Sequence, residues 1–163
     1  MLDCRAYLLD VTDRRPNEPL LQELVDVLAR YSYTELFWYA AEAAEASAPS
    51  PRLAAYCEMQ GVALRALDAA GYERLLLDPA NVCVPTFAAK SLCGRIEEMR
   101  LAMEAGERAV RARRATRFLV TDFSDGYAWQ PLCVSLPAII LAGNLMTSGA
   151  SAAKMDLEKE LCS

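Results

Sequence analysis

Two pairs of carboxylates, Asp10 with Asp13 and Asp122 with Asp125, each follow directly on a short apolar run. The β-branched and aromatic run 118–121 leads into Asp122, Asp125, Gly126, Tyr127, Trp129 and Pro131, and the run 6–9 leads into Asp10 and Asp13. Strand, acidic loop, helix is the order in which a βα unit presents side chains at the carboxyl end of its strand. Carboxylates gathered there can raise one another's pKa and divide acid and base work between them. On that ground Asp122, Asp125 and Glu42 are the candidate catalytic residues. Asp10, Asp13, Arg14, Tyr127 and Trp129 are the candidate ligand-binding ones, the aromatics as faces on which a ring could stack. The plainer alternative pairs Asp10 and Asp13 with Arg14 or Arg15, makes Asp122 and Asp125 turn or helix caps, and packs the aromatics under a loop.

Missing residue types narrow the chemistry. The chain has no histidine, the usual general base for a serine or cysteine nucleophile, so hydrolase triads are excluded in their ordinary form. Six cysteines, Cys4, Cys57, Cys83, Cys93, Cys133 and Cys162, are widely spaced and form no C-x-x-C pair. A zinc site would have to draw on scattered thiolates and carboxylates, so buried, reduced cysteines are expected, with no metal and no cofactor. Lys and Arg total 17 against 22 Asp and Glu, a net charge of −5, and nothing global favours nucleic acid or an anionic membrane. The local basic cluster Arg108, Arg111, Arg113, Arg114 and Arg117 falls at a predicted helix end, where cations complement the macrodipole, and reads as a solvated end rather than a phosphate site.

The first residues carry Asp3, Arg5 and Asp10 where a secretory signal needs an unbroken apolar core, so the expected location is cytoplasmic. The longest apolar run, 132–146, contains Pro137, Gly143 and Asn144 and is too short and broken to span a bilayer. A buried core helix is expected there, and no membrane partner.

With 54% hydrophobic and 24% charged residues the chain can bury a sizeable core, and it reads as one α/β domain over 1–163. Apolar runs of strand length alternate with longer amphipathic segments, the pattern of βα units around a parallel sheet. Asn17 is placed to cap a first helix, with Pro19 in its first turn and Leu20, Leu21, Leu24, Val25 and Leu28 on one stripe. A second strand is predicted at 35–39, where Phe37 and Trp38 must face opposite layers. A helix over 52–60 ended by Gly61 and a weaker strand at 62–65 follow. Gly71 is expected to close a short helical piece. Apolar runs at 74–77 and 81–84 flank the Asp78-Pro79 turn signal, and only one of them need be a strand. From 92 to 113 the period is helical, with Ile96, Met99, Met103, Gly106 and Val110 forming a core stripe. A strand at 118–121 and a final helix from about 134, with Pro137 in its first turn, complete about five units of roughly 30 residues each.

Several blocks resemble a known family. LLDVTDRRPNEPLLQELVDVLARYSYTELFWYA is similar to the first strand, helix and second strand of the glycoside hydrolase family 20 catalytic barrel, the fold of β-N-acetylhexosaminidases. PRLAAYCEMQGVAL resembles its next helix and strand. VCVPTFAAKSLCGR with the long helix after it, and FLVTDFSDGYAWQPLCVSLPAIILAG, resemble its seventh and eighth units, and AAKMDLEKEL its closing helix. Residues 1–66 thus correspond to the first units of the barrel and 81–163 to the last, with the middle units missing.

The resemblance implies an adjacent Asp-Glu pair after the fourth strand, Glu as proton donor and Asp positioning the substrate's acetamido group. This chain contains no Asp-Glu dipeptide. The family pattern also implies a Glu-His pair after the second strand, a Trp after the seventh, and Trp, Asn and His after the eighth. At those places stand Ala41 and Glu42, Ala89, and Phe123, Gly126 and Ala128.

Eight such units need roughly 200 to 250 residues, more than this chain has, and a partial barrel leaves two sheet edges with unpaired backbone groups. The fold class expected is therefore α/β, a partial TIM-type barrel of about five units. It either closes as a homodimer, the preferred alternative, or opens into a parallel sheet with flanking helices. The expected function is a non-catalytic scaffold, engineered or recombined from a hexosaminidase-type barrel, with self-association as its main property. The alternative is a residual glycoside hydrolase or sugar-binding protein acting on N-acetylhexosaminides, with a small sugar as ligand.

Overall fold

Short-range chemistry sets where the helices begin. In the computed structural model, which describes residues 2–12, 16–41, 48–86, 96–122 and 132–148, Asn17 Oδ1 accepts the Leu20 N–H at 3.0 Å and opens α1 (Glu18–Arg30). Ser50 Oγ does the same for Leu53 at 3.0 Å, with Pro51 as the first residue of α2 (Pro51–Met59). Asp68 Oδ1 takes the Gly71 N–H at 2.7 Å and opens α3 (Ala69–Leu77). Each side chain satisfies one of the amide donors that a first turn leaves without a helical partner.

One stop signal ends three of the helices. After α1, Ser32 (φ 60°) and Tyr33 donate back to Ala29 O and Leu28 O; after α2, Gly61 (φ 73°) and Val62 donate to Glu58 O and Cys57 O. Arg114 (φ 55°) and Ala115 donate to Arg111 O and Val110 O after α4 (Ile96–Arg113). This is the Schellman arrangement, and each time its apolar pair, Tyr33 with Leu28, Val62 with Cys57 and Ala115 with Val110, is buried. The same device thus turns each helix back into a strand.

The strands β1 (Cys4–Asp10), β2 (Glu35–Tyr39), β3 (Ala63–Leu67), β4 (Asn81–Pro85) and β5 (Arg117–Asp122) form one all-parallel sheet in the order β3-β2-β1-β5-β4. Tyr7, Leu36, Trp38, Val82, Val84, Phe118 and Val120 point to one face and meet α1, α2, α4 and α5 (Leu132–Ser148) in the larger core. Ala6, Leu8, Phe37 and Leu119 point to the other and meet Tyr72 and Leu75 of α3. Phe37 and Trp38 therefore face opposite layers, as strand alternation requires.

The side on which α3 lies follows from chain direction. The steps β1 to β2, β2 to β3 and β4 to β5 all advance the same way across the sheet, while β3 to β4 runs back from one edge to the other. A right-handed crossover taken in reverse has to pass over the opposite face. The structure is thus an α/β parallel sheet with helices on both faces.

Two elements differ from expectation. Residues 74–77 are not strand and Gly71 does not end a helix: the Asp68 cap starts α3 two residues earlier, and the apolar run continues it to Leu77. The strand of that region is β4, after the Asp78-Pro79 turn. The last helix starts at Leu132, so Pro137 lies in its interior and the carbonyl of residue 133 loses its helical donor. Residues 138–143 of α5 are buried on every side, and the buried Tyr33 hydroxyl donates to Ile139 O at 3.0 Å. Among the described residues no helix is long and apolar enough to cross a membrane.

Candidate functional site

The carboxyl end of β5 holds the more closely bonded of the two candidate acids among the described residues. Asp122 Oδ2 accepts the Tyr7 hydroxyl at 2.5 Å and the Ser135 hydroxyl, and its Oδ1 accepts the Thr86 hydroxyl at 3.1 Å. Tyr7 comes from the middle of β1, Thr86 follows β4 directly and Ser135 stands in the second turn of α5's helical run, so one carboxylate ties together four elements. All three donors are buried. Burial, and then the negative charge of Asp122, push the Tyr7 phenol well above its ordinary pKa, so it stays protonated as a donor.

Asp10 does different work on the other side of the sheet. Its Oδ1 accepts the Thr12 N–H at 2.9 Å and the Thr12 hydroxyl at 2.6 Å, an Asx turn, and Thr12 Oγ1 accepts the Ala41 N–H at 3.0 Å. Asp122 pairs in register with Leu9, and Asp10 with Tyr39. Leu9 packs into the larger core and Tyr39 into the smaller, so the two aspartates project to opposite faces. They do not form a carboxylate pair. Glu42, Asp13, Arg14, Asp125, Tyr127 and Trp129 lie outside the described residues.

A second polar group spans the amino end of the α3 face. Glu35, buried, accepts from Arg65 Nε at 2.9 Å and stands 3.8 Å from Arg117 Nε, while Arg117 donates to Asn81 Oδ1 at 3.3 Å and Asn81 to Leu75 O at 2.8 Å. Burial raises the Cys4 thiol beside it, with Arg117 opposing. The group laces all the strands but lies opposite the end where α/β sheets place ligands, so it reads as structural. Arg117 thus leaves the basic cluster expected at the helix end, whereas Arg108, Arg111, Arg113 and Arg114 are exposed.

Two grooves lie away from both aspartates. One, of about 460 Å³, runs along the outer edge of β4 under Ala102, Ala105 and Ala109. The other, of about 550 Å³, is lined by Leu2, Val110, Arg111, Arg114, Leu145 and Met146 at the amino end of the sheet. Among the described residues no three His, Cys, Asp or Glu side chains come together as metal ligands.

Sequence reasoning named Asp122 but not Tyr7, Thr86 or Ser135. A tyrosine inside an apolar strand was the available signal, because a buried phenol needs an acceptor. The hydroxyls of Thr86 and Ser135 carried none, since the nearness of Thr86 to Asp122 depends on β4 and β5 being neighbours and that of Ser135 on how α5 packs back on β5. No protein-family model and no curated protein matches the chain.

Proposed function

We propose that this protein is a non-catalytic α/β scaffold, recombined or engineered from a hexosaminidase-type barrel, whose main property is self-association. The observation that carries this reading is the state of the acids. Three buried hydroxyls occupy Asp122, and Asp10 caps a turn on the opposite face. Among the described residues neither faces a partner acid with which to divide proton transfer.

The strand order supports the origin. In a closed barrel the eighth strand neighbours the first, so removing three middle units leaves the seventh, eighth, first, second and third strands side by side. The observed order, β4-β5-β1-β2-β3, is that arc. Joining the third strand to the seventh reverses the direction of travel, which accounts for α3 crossing the face that would line a barrel's interior. Because Tyr72 and Leu75 occupy that face, copies associate through sheet edges rather than through inner faces. The free, raised thiols of Cys4, Cys57 and Cys83 suit a reducing compartment such as the cytoplasm.

Hydrolysis of an aryl N-acetylglucosaminide tests the reading directly. No turnover above solvent is expected, and N-acetylglucosamine at millimolar concentration should shift no amide resonance. Turnover that disappears in Asp122→Asn or Asp125→Asn while the fold persists would establish the residual hydrolase instead.

A further inference from the structure

We infer that a second copy of this chain pairs with it across the outer edge of β4, extending the sheet through a two-fold axis at Cys83. The inference rests on the self-association proposed above and names its surface.

The edge is suited to antiparallel pairing. Thr86 N–H donates to Thr121 O at 2.9 Å, so strand alternation turns the backbone of Val84 and Val82 toward β5 and that of Asn81, Cys83 and Pro85 outward. Pro85, which has no N–H to give, therefore stands on the side where a ladder bond is not already required. Two such edges centred on Cys83 exchange both bonds between the Cys83 residues, while each Asn81 N–H stays with its own Asp78 O at 3.0 Å, so the strand pairing is centred on that one residue pair.

The helix above the edge carries the matching symmetry. Glu98, Ala102, Ala105, Ala109 and Arg113 lie on one flank of α4, and α5 packs between α4 and β1 on the side away from that edge. About a centre between residues 105 and 106 the stripe is self-complementary under antiparallel packing: Glu98 meets Arg113, Ala102 meets Ala109, and Ala105 meets Gly106. Opposite charges thus close both ends of a seam of small side chains.

One axis serves strand and helix together. A Cβ on Gly106 would come within 2.5 Å of Val84 Cγ2 and 2.8 Å of Phe118 Cε2, so the middle of α4 lies over β4 and β5 beside Cys83. With strands about 4.8 Å apart and α4 above the space between β4 and β5, the two α4 axes fall roughly 10 Å apart, the separation at which helices pack. The groove of about 460 Å³ lined by Ala102, Ala105, Gly106, Ala109 and the β4 backbone is what such a partner fills. Leu76, 49% exposed, borders it from the other face of the sheet.

In that dimer the Cys83 Cα atoms lie about 5.5 Å apart, within the range a disulfide spans. Light scattering across a concentration series should give twice the chain mass, and copper-phenanthroline oxidation should yield a covalent dimer that Cys83→Ser abolishes. Ala105→Glu, at an exposed position, should give a folded monomer by circular dichroism. Arg113→Glu should weaken the dimer about tenfold through two like-charge contacts, and Glu98→Arg with Arg113→Glu should restore it. A dimer indifferent to Ala105→Glu and lacking a Cys83 cross-link would overturn this interface while leaving self-association standing. A wild-type monomer at every concentration would overturn both.

Discussion

Asp122 shows how a residue type suited to chemistry becomes a tie. Its carboxylate takes three hydroxyl donors from β1, the end of β4 and α5, and such charge-assisted bonds are worth about 1.5–3 kcal/mol each when a partner is lost. Asp122→Asn or Tyr7→Phe should therefore lower unfolding free energy by about 1–3 kcal/mol in urea melts. Burial raises the Tyr7 and Tyr33 phenols, which sets an alkaline limit as well. A folded-state pKa above the unfolded value gives stability that is whole below about pH 10 and is lost as pH rises through the interval up to the folded pKa. Each phenol contributes a slope of about 1.4 kcal/mol per pH unit there. Melts between pH 9 and 11 should show the decline, shallower in Tyr7→Phe and in Tyr33→Phe. Cys4 and Cys57, raised by burial, add to it from the ordinary thiol pKa of about 8.5 upward.

Helices α1, α2 and α4 stop by one mechanism, but only α2 has the residue that mechanism favours. Ser32 and Arg114 hold the left-handed conformation that Gly61 adopts without a Cβ penalty. Ser32→Gly and Arg114→Gly should each stabilise the protein by about 0.5–1 kcal/mol, the relieved strain exceeding glycine's added chain entropy. For a chain of this size that corresponds to a rise in Tm of about 1–4 °C. Gly61→Ala should move Tm the other way. Differential scanning calorimetry on the three variants reads both signs against one reference.

At the scale of the molecule, one nine-residue helix among the described residues covers the second face of a five-stranded sheet. Tyr72 and Leu75 are its anchors over Ala6, Leu8, Phe37 and Leu119. Truncating both to Ala should cost about 2–4 kcal/mol and uncover that face, seen as increased binding of an apolar dye by a protein still folded at low temperature. If stability and dye binding stay unchanged, α3 does not hold the smaller core together.

Much of the fold was legible along the chain because its signals act over a few residues. Asn17 caps the helix that follows it, Glu35–Tyr39 is apolar enough to be a strand in any register, and Met99, Met103 and Val110 repeat at helical spacing. Asp122 was legible as a residue with work to do, since a carboxylate ending a buried strand must find donors. Its partners, and its separation from Asp10, were not. Those depend on β5 lying beside β1 with Leu9 opposite Asp122, and a shift of one residue would reverse the face that each side chain takes. The 74–77 run shows the same limit at short range, where an apolar tetrapeptide fits strand or helix until a cap upstream decides. By itself, then, the sequence determined where elements start, stop and bury a stripe, because caps, turns and periodicity are local free energies. Only the tertiary structure decided that β5 inserts between β1 and β4, that α3 crosses the opposite face and that the two aspartates part company, because strand order and crossover hand arise from packing between residues more than a hundred positions apart.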